Sequence, residues 1–154
     1  MKVAVFADTH GRLTRLPAAR AQLGPVDAVL HLGDHCRDAA AIGRALGAPV
    51  WAVRGNCDYG CGDPLERIVE LGGVRLLCLH GHLCPDLYRL ALRAEQERCR
   101  AALFGHTHIP LVEAQGDVLL VNPGSLSRPR GGSAPGCALL TIEQGEVHVR
   151  LCPV

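Results

Sequence analysis

The first half of the chain alternates short aliphatic, β-branched runs with segments of helical spacing, and that order admits few folds. Lys2–Phe6, Val26–Leu32 and Pro49–Val53 read as strands, with helices over Leu13–Leu23 and Asp38–Leu46 between them. Consecutive strands joined through helices run parallel, because only a long crossover returns the chain to the same edge. Pro17 falls near the first turn of the earlier helix, and Gly47 closes the later one. Glu66–Leu71 and Val74–Leu79 flank Gly72-Gly73 and predict a hairpin. Pro85–Arg100 predicts an amphipathic helix with Leu87, Leu90, Ala91 and Ala94 on its apolar side. Its opposite side carries Arg89, Arg93, Glu97 and Arg100, a solvated face with ion pairs such as Arg93–Glu97. Ala101–Phe104 reads as a strand, and Leu111–Glu113, Val118–Val121, Ala138–Ile142 and Val147–Leu151 are β-like. The stretch from Pro123 to Gly136 is a long loop. The sum is a mixed α/β fold of two packed sheets with helices outside, in one domain over residues 1–154.

Composition narrows the functions open to such a fold. Hydrophobic residues make up 48% of the 154 and aromatics only 3%, so the core is aliphatic and the chain is not disordered. Few rings also argue against a stacking platform for single-stranded nucleic acid. A net charge of +1 supplies no field for general binding to nucleic acid or anionic membranes. Asp8 interrupts the N-terminal apolar run too early for a signal peptide, and no stretch approaches the roughly 18 apolar residues of a membrane span. A cytosolic protein with its 8 cysteines reduced is the expectation. The chain carries 8 histidines against 5 residues of Phe, Trp and Tyr together. Histidine is the commonest metal ligand and proton shuttle, so that surplus asks for a chemical reason.

The positions of these residues supply one. Five apolar runs end on metal-ligand types: Phe6-Ala7-Asp8-Thr9-His10, Leu32-Gly33-Asp34, Val53-Arg54-Gly55-Asn56, Leu77-Cys78-Leu79-His80 and Phe104-Gly105-His106-Thr107-His108. Ligands of open α/β sheets bind beyond the carboxyl ends of the strands, so one crevice would receive Asp8, His10, Asp34, Asn56, His80, His106 and His108. Locally extended backbone would turn Asp8 with His10, and His106 with His108, to a common side. Two carboxylates, four imidazoles and an amide exceed what one tetrahedral site uses and suit two divalent transition metals sharing a carboxylate. Singly, Asp8 reads as a helix cap, Asn56 as a turn residue, and His31, His35 or His148 as structural. Jointly, the set at five strand ends points to a metal site.

Asp8-Thr9-His10, Gly33-Asp34, Gly55-Asn56, His80 and Gly105-His106-Thr107-His108 resemble, in order, the motifs of the calcineurin-like metallophosphoesterases. The short length, Gly55-Asn56-Cys57-Asp58, His80-Gly81-His82 and Asn122-Pro123-Gly124-Ser125 look most like the small YfcE-type phosphodiesterase branch. The resemblance implies a four-layer αββα sandwich of two mixed sheets flanked by helices. It implies that Asp8, His10 and His108 hold one metal and Asn56, His80 and His106 the other, with Asp34 bridging. Manganese leads the expected ions, with iron, zinc and nickel as alternatives. The implied reaction is phosphoester hydrolysis, a metal-bridging hydroxide attacking phosphorus in line, on a small phosphodiester. A phosphomonoesterase is the nearer rival. A non-catalytic interaction scaffold, like the retromer subunit of this fold, is the more distant one, and the full ligand set argues against it. A homo-oligomer is reasonable for the branch.

Many family members carry a histidine after the asparagine, where this chain has Cys57. Adjacent dications are expected to lower the thiol's pKa further from about 8.5, which makes Cys57 a poor general acid. His82 and His35 are candidates for the vacant role, and esters with good leaving groups are the expected substrates. Arg54, Arg128 and Arg130 are candidate phosphate contacts, the last two from the loop after Asn122. Cys57 and Cys61 are a candidate pair for oxidation that shuts the site. Without paired Cys-x-x-Cys motifs, a separate structural zinc is not expected.

Overall fold

Every residue of Val3–Phe6 is buried, although side chains of a strand alternate between its two faces. Such a strand needs cover on both sides, and the fold supplies it. A computed structural model describes residues 1–84 and 86–154. Strand β1 (Lys2–Phe6) is central in a sheet that also contains β2 (Ala28–His31), β3 (Val50–Ala52), β9 (Gly136–Glu143) and β10 (Glu146–Pro153), in the order β10-β9-β1-β2-β3. β1, β2 and β3 are parallel, and β9 pairs antiparallel to β1 with Val3 opposite Leu140. A second sheet has the order β4-β5-β6-β8-β7, from β4 (Glu66–Leu71), β5 (Val74–Leu79), β6 (Ala101–Leu103), β7 (Leu111–Gln115) and β8 (Val118–Asn122). Its β5, β6 and β8 are parallel, while β4 and β7 are antiparallel edges.

The alternating faces define the layers. Val3 and Val5, Ala28 and Leu30, Leu76 and Cys78 form the apolar seam between the sheets. Ala4, Phe6 and Val29 face outward and are covered by Leu16, Ala19 and Leu23 of α1 (Leu16–Leu23) and Ile42 of α2 (Asp38–Leu46). Leu77 and Leu79 face the other way, beneath Leu90, Ala91 and Ala94 of α3 (Leu87–Gln96). The result is the expected four-layer αββα sandwich, with its core aliphatic apart from Phe6 and Phe104.

The element boundaries follow local chemistry. Pro17 sits in the first turn of α1 and starts that helix three residues later than the periodicity predicts. Gly47 ends α2 in the left-handed conformation. Asp86 caps α3 by accepting the Tyr88 N–H at 2.9 Å, so that helix begins after the cap; the predicted first residue, Pro85, lies outside the described residues. Arg93 pairs with Glu97 as expected and also reaches Glu66. Among the described residues no helix is long and apolar enough to cross a membrane.

Candidate metal centre

The parallel strands of both sheets end at one crevice. The first sheet contributes Asp8 and His10 after β1, Asp34 after β2 and Asn56 beyond β3; the second contributes His80 after β5 and His106 and His108 after β6. Asp8, His10, Asp34 and His108 each offer a donor atom within 4.8 Å of the others. His80 Nε2 lies 3.3 Å from Asp34 Oδ1 and 3.2 Å from Asn56 Oδ1, which joins the second set of donors to the first. His106 is tied in through its backbone, its N–H donating to Asp8 Oδ2 at 2.9 Å, and its ring lies edge-on to His80 with centroids 5.2 Å apart. All seven predicted ligands therefore meet in one place.

They do not meet in the predicted way. Extended backbone fails at both His-containing pairs: φ is 52° at Asp8, 46° at His10, 66° at His106 and 61° at His108. Asp34 is also left-handed at 56°, so among the described residues five of the eight non-glycines with positive φ are in the candidate ligand set. A β-carbon is unfavourable there, and such strain persists only where the surroundings hold it. The restraints are visible. Ser125 and Ser127 donate their hydroxyls to the Asp8 carbonyl, at 2.7 and 3.3 Å. Asn122 donates to the Gly105 carbonyl at 2.8 Å. Gly105 leaves no room for more: a β-carbon would lie 2.8 Å from that of Ala7 and 2.9 Å from Asp8 Oδ2.

Hydrogen bonds also fix which ring nitrogens face inward. His80 Nδ1 donates to the Leu32 carbonyl at 2.8 Å, and His108 Nδ1 to the Arg128 carbonyl at 2.6 Å. Both rings then present an Nε2 lone pair to the cluster. Asp8 is fully buried, and among the described residues its Oδ1 has no hydrogen bond although it lies 3.2 Å from His108 Nε2. A buried, unpaired carboxylate oxygen ringed by imidazole nitrogens is costly unless a cation completes it, so these donors fit a divalent metal. Burial is the main reason that His10 and His106 are held toward the neutral, ligating form. His108 is raised instead, by the Asp8 carboxylate beside it. Burial acts to raise Asp34, but the Cys57 N–H and His80 outweigh it and hold the carboxyl below its ordinary value.

The candidates outside this set divide. His82 stands beside the cluster, its ring 5.4 Å from His80 and 6.2 Å from His106 between centroids. Burial, followed by those two rings, lowers its pKa. His35 is exposed and turns to Asp38 at 3.7 Å, which engages it away from the role considered for it. The Cys57 thiol is pushed up to about 11, by burial and then by the Asp34 carboxylate, opposite in sign to the lowering that bound dications would give. Arg128 and Arg130 are exposed, and their charges reach His10 and His108 respectively. Arg54 is half-buried, its amide bound to the Pro64 carbonyl.

Two features were hidden in the sequence. Asp58 accepts four backbone N–H groups, from Asp34, His35, Cys36 and Gly55, at 2.7 to 2.9 Å, and so binds two ligand-bearing loops together. Its only sequence signal is its place after Gly55-Asn56-Cys57, where an Asp commonly caps a turn. Cys36 and Cys61 form a disulfide across the same two loops, which corrects both the expectation of fully reduced cysteines and the choice of Cys57 as partner of Cys61. The turn that Asp58 stabilises carries Cys61 back over Cys36, a proximity that 25 residues of separation conceal.

The model of the calcineurin-like phosphoesterase superfamily domain matches residues 1–145. The chain belongs to the calcineurin-like phosphoesterase superfamily. Within that superfamily it is 32% identical to the probable metallophosphoesterase YsnB of Bacillus subtilis, over 97% of this chain and 89% of that one. It is 34% identical to the phosphodiesterase YfcE of Escherichia coli strain K12 over 100 residues, 59% of this chain and 52% of that one. The structure of Vps29 from Entamoeba histolytica complexed with Zn²⁺ superposes with a TM-score of 0.79 at 25% identity, over 97% of both chains. Membership of this metal-dependent superfamily accounts for the ordered ligand motifs and the strand-end crevice together.

Proposed function

We propose that this superfamily member is a dinuclear-metal phosphodiesterase acting on a small phosphoester. The observation that carries the reading is the meeting in one crevice of seven side chains of metal-ligand type from five strand ends, among them buried Asp8, whose Oδ1 has no hydrogen bond among the described residues. In this reading Asp8, His10 and His108 hold one ion, Asn56, His80 and His106 hold the other, and Asp34 is shared. Two divalent ions, when bound, supply Lewis acidity at the phosphoryl oxygens and a water acidic enough to attack phosphorus in line near neutral pH. Manganese is the ion of first choice.

The chain's own groups do the rest. The Leu32 and Arg128 carbonyls hold His80 and His108 in their ligating tautomer. Arg128 and Arg130 meet the phosphoryl charge from the rim. The amide of Asn56, exposed at the crevice, contacts the same group. We assign the proton for the leaving oxygen to His82, beside the cluster, whereas bound dications would lower the Cys57 thiol and leave it a poor proton donor. A diester is preferred to a monoester because of the likeness to YfcE, named a phosphodiesterase. A non-catalytic scaffold would have no use for five strained ligand positions. The likeness to Vps29 is one of fold, and the Vps29 compared is itself a zinc complex.

Metal analysis combined with hydrolysis of bis(p-nitrophenyl) phosphate in the presence of Mn²⁺, Fe²⁺, Zn²⁺ or Ni²⁺ tests this. The expected outcome is close to two ions per chain and metal-dependent release of nitrophenol. Loss of neither on Asp34→Asn substitution, or absence of both in the unaltered protein, overturns it.

A further inference from the structure

Beyond the donor cluster, on the far side of His80, lies a cleft of about 330 Å³ between the approach to β4, the loop after β5 and the first turns of α3. That volume is at the lower end of the range for small-molecule pockets. Leu79 and Leu90 form its buried base, 8% and 1% exposed. Leu65 and Leu83 line it as well, 40% and 71% exposed, so the mouth of the cleft is apolar and open to solvent.

Two facts connect this cleft to the chemistry. His80 and His82 line it, and His80 Nε2 also touches Asn56 and Asp34, so the cleft and the cluster share a wall. His82 Nδ1 is buried and has no hydrogen-bond partner among the described residues, a polar atom free at the passage between the two. The charges around the cleft are largely spent on one another. Arg93 is bound by Glu66 and Glu97, which leaves Arg89, itself 3.7 Å from Asp86, as the loosely held cation. A charged guest would find little to pair with, while an apolar one would cover leucine surface.

We propose that this cleft receives an apolar, uncharged alkyl or aryl substituent of a phosphoester whose phosphoryl group sits at the donor cluster, with Leu65 and Leu83 determining the preference. The proposal rests on the phosphoesterase reading for the position of the phosphoryl group. Contacts with such a substituent tighten the binding of any ligand that carries it, so inhibition constants read them directly.

Phosphonates, which carry one substituent on a carbon–phosphorus bond that hydrolysis does not cleave, isolate the effect. With the Mn²⁺-loaded full chain, inhibition constants against bis(p-nitrophenyl) phosphate are measured for methyl-, butyl- and benzylphosphonate. About a tenfold fall from methyl to benzyl is expected, the worth of roughly two buried methylenes. In the Leu65→Ser, Leu83→Ser double variant the series should flatten, with the inhibition constant of methylphosphonate unaltered; both side chains are exposed enough for the fold to tolerate the change. A series that is flat in the unaltered protein, or that survives in the double variant, overturns the proposal. If no ester is hydrolysed at all, the phosphoesterase reading fails separately. The same phosphonates are then followed by ligand-observed NMR, where a size trend lost in the double variant supports the cleft and its absence overturns it.

Discussion

Asp58 shows how one side chain outside the ligand set governs the ligands themselves. Its carboxylate gathers the N–H groups of Asp34, His35, Cys36 and Gly55, donors that the sharp loops after β2 and β3 leave without backbone partners. Asp58→Ala strands them in part, at a cost of about 3 kcal/mol, since hydrogen bonds to charged groups are the stronger kind. It should also weaken metal binding by tenfold or more by releasing Asp34 and Asn56. Urea unfolding and a competitive chelator titration measure the two effects, and a variant with native metal affinity would refute the argument. His31 makes a prediction of another kind. It is 1% exposed, accepts the Gly33 N–H through Nδ1 and gives Nε2–H to Thr9, and burial pushes its pKa down from 6.5 to about 4. The carboxylates of Asp38, Asp58 and Asp8 oppose that shift, and the charge of His80 reinforces it. A base depressed by folding contributes fully above pH 6.5 and loses its contribution as pH falls toward 4, because the unfolded chain takes up a proton the folded chain refuses. The loss approaches about 3 kcal/mol. Denaturation midpoints at pH 7 and pH 4.5 should therefore converge in His31→Gln by most of that amount, and an unchanged pH dependence would count against it.

At the scale of elements, the loops after β2 and β3 are the least self-sufficient parts of the fold, and they are bound twice, by Asp58 and by the Cys36–Cys61 disulfide. Closing 25 residues in the unfolded chain is worth about 3 kcal/mol in the chain-entropy account. Reduction with a dithiol, or Cys36→Ser with Cys61→Ser, should lower the thermal midpoint by several degrees, and reduction should raise the thiols titrated in denaturant from six to eight. No change in midpoint would mean that Asp58 alone holds the loops. The same loops mark where sequence reading stops. The hairpin β4–β5 was legible to the residue, because Glu66–Leu71 and Val74–Leu79 flank a glycine pair and their periodicity is local. So were α2 and the strand-end position of each candidate ligand, since each follows a strand that its own apolar run announces. The left-handed backbone at Asp8, His10, Asp34, His106 and His108 was not, for the loops that carry it meet distant partners, such as Ser125 on the Asp8 carbonyl, more than a hundred residues on, and Asn122 on the Gly105 carbonyl, 17 residues on. Local pattern specifies which residues end a strand; tertiary hydrogen bonds specify which way they then face.

For the whole molecule, the two sheets bring together a cluster that the fold on its own would not choose. Asp8 and Asp34 place carboxylate oxygens within 4.8 Å of one another, with an unpaired buried oxygen between imidazoles, on backbone held in strained conformations. The four layers supply the stability that this site spends, which is the usual exchange between a functional site and its scaffold. Asp8→Asn separates the two. The amide keeps an oxygen for the His106 N–H and turns a donor toward the Nε2 atoms of His108 and His80, 3.2 and 3.9 Å from the present Oδ1. It also removes one of two neighbouring negative charges. The metal-free variant should therefore be as stable as the metal-free unaltered protein, or more so by about 1 kcal/mol, the worth of one buried hydrogen bond. With Mn²⁺ present the order reverses. An ion that binds only the folded state adds about 2.7 kcal/mol at a hundred times its dissociation constant, and only the protein with Asp8 intact can gain it. Thermal melts of both proteins, with chelator and with excess Mn²⁺, give the four numbers needed. A large destabilisation of Asp8→Asn in chelator would mean that Asp8 serves the fold, and the strand-end cluster would lose its reading as a site built for metal at the expense of stability.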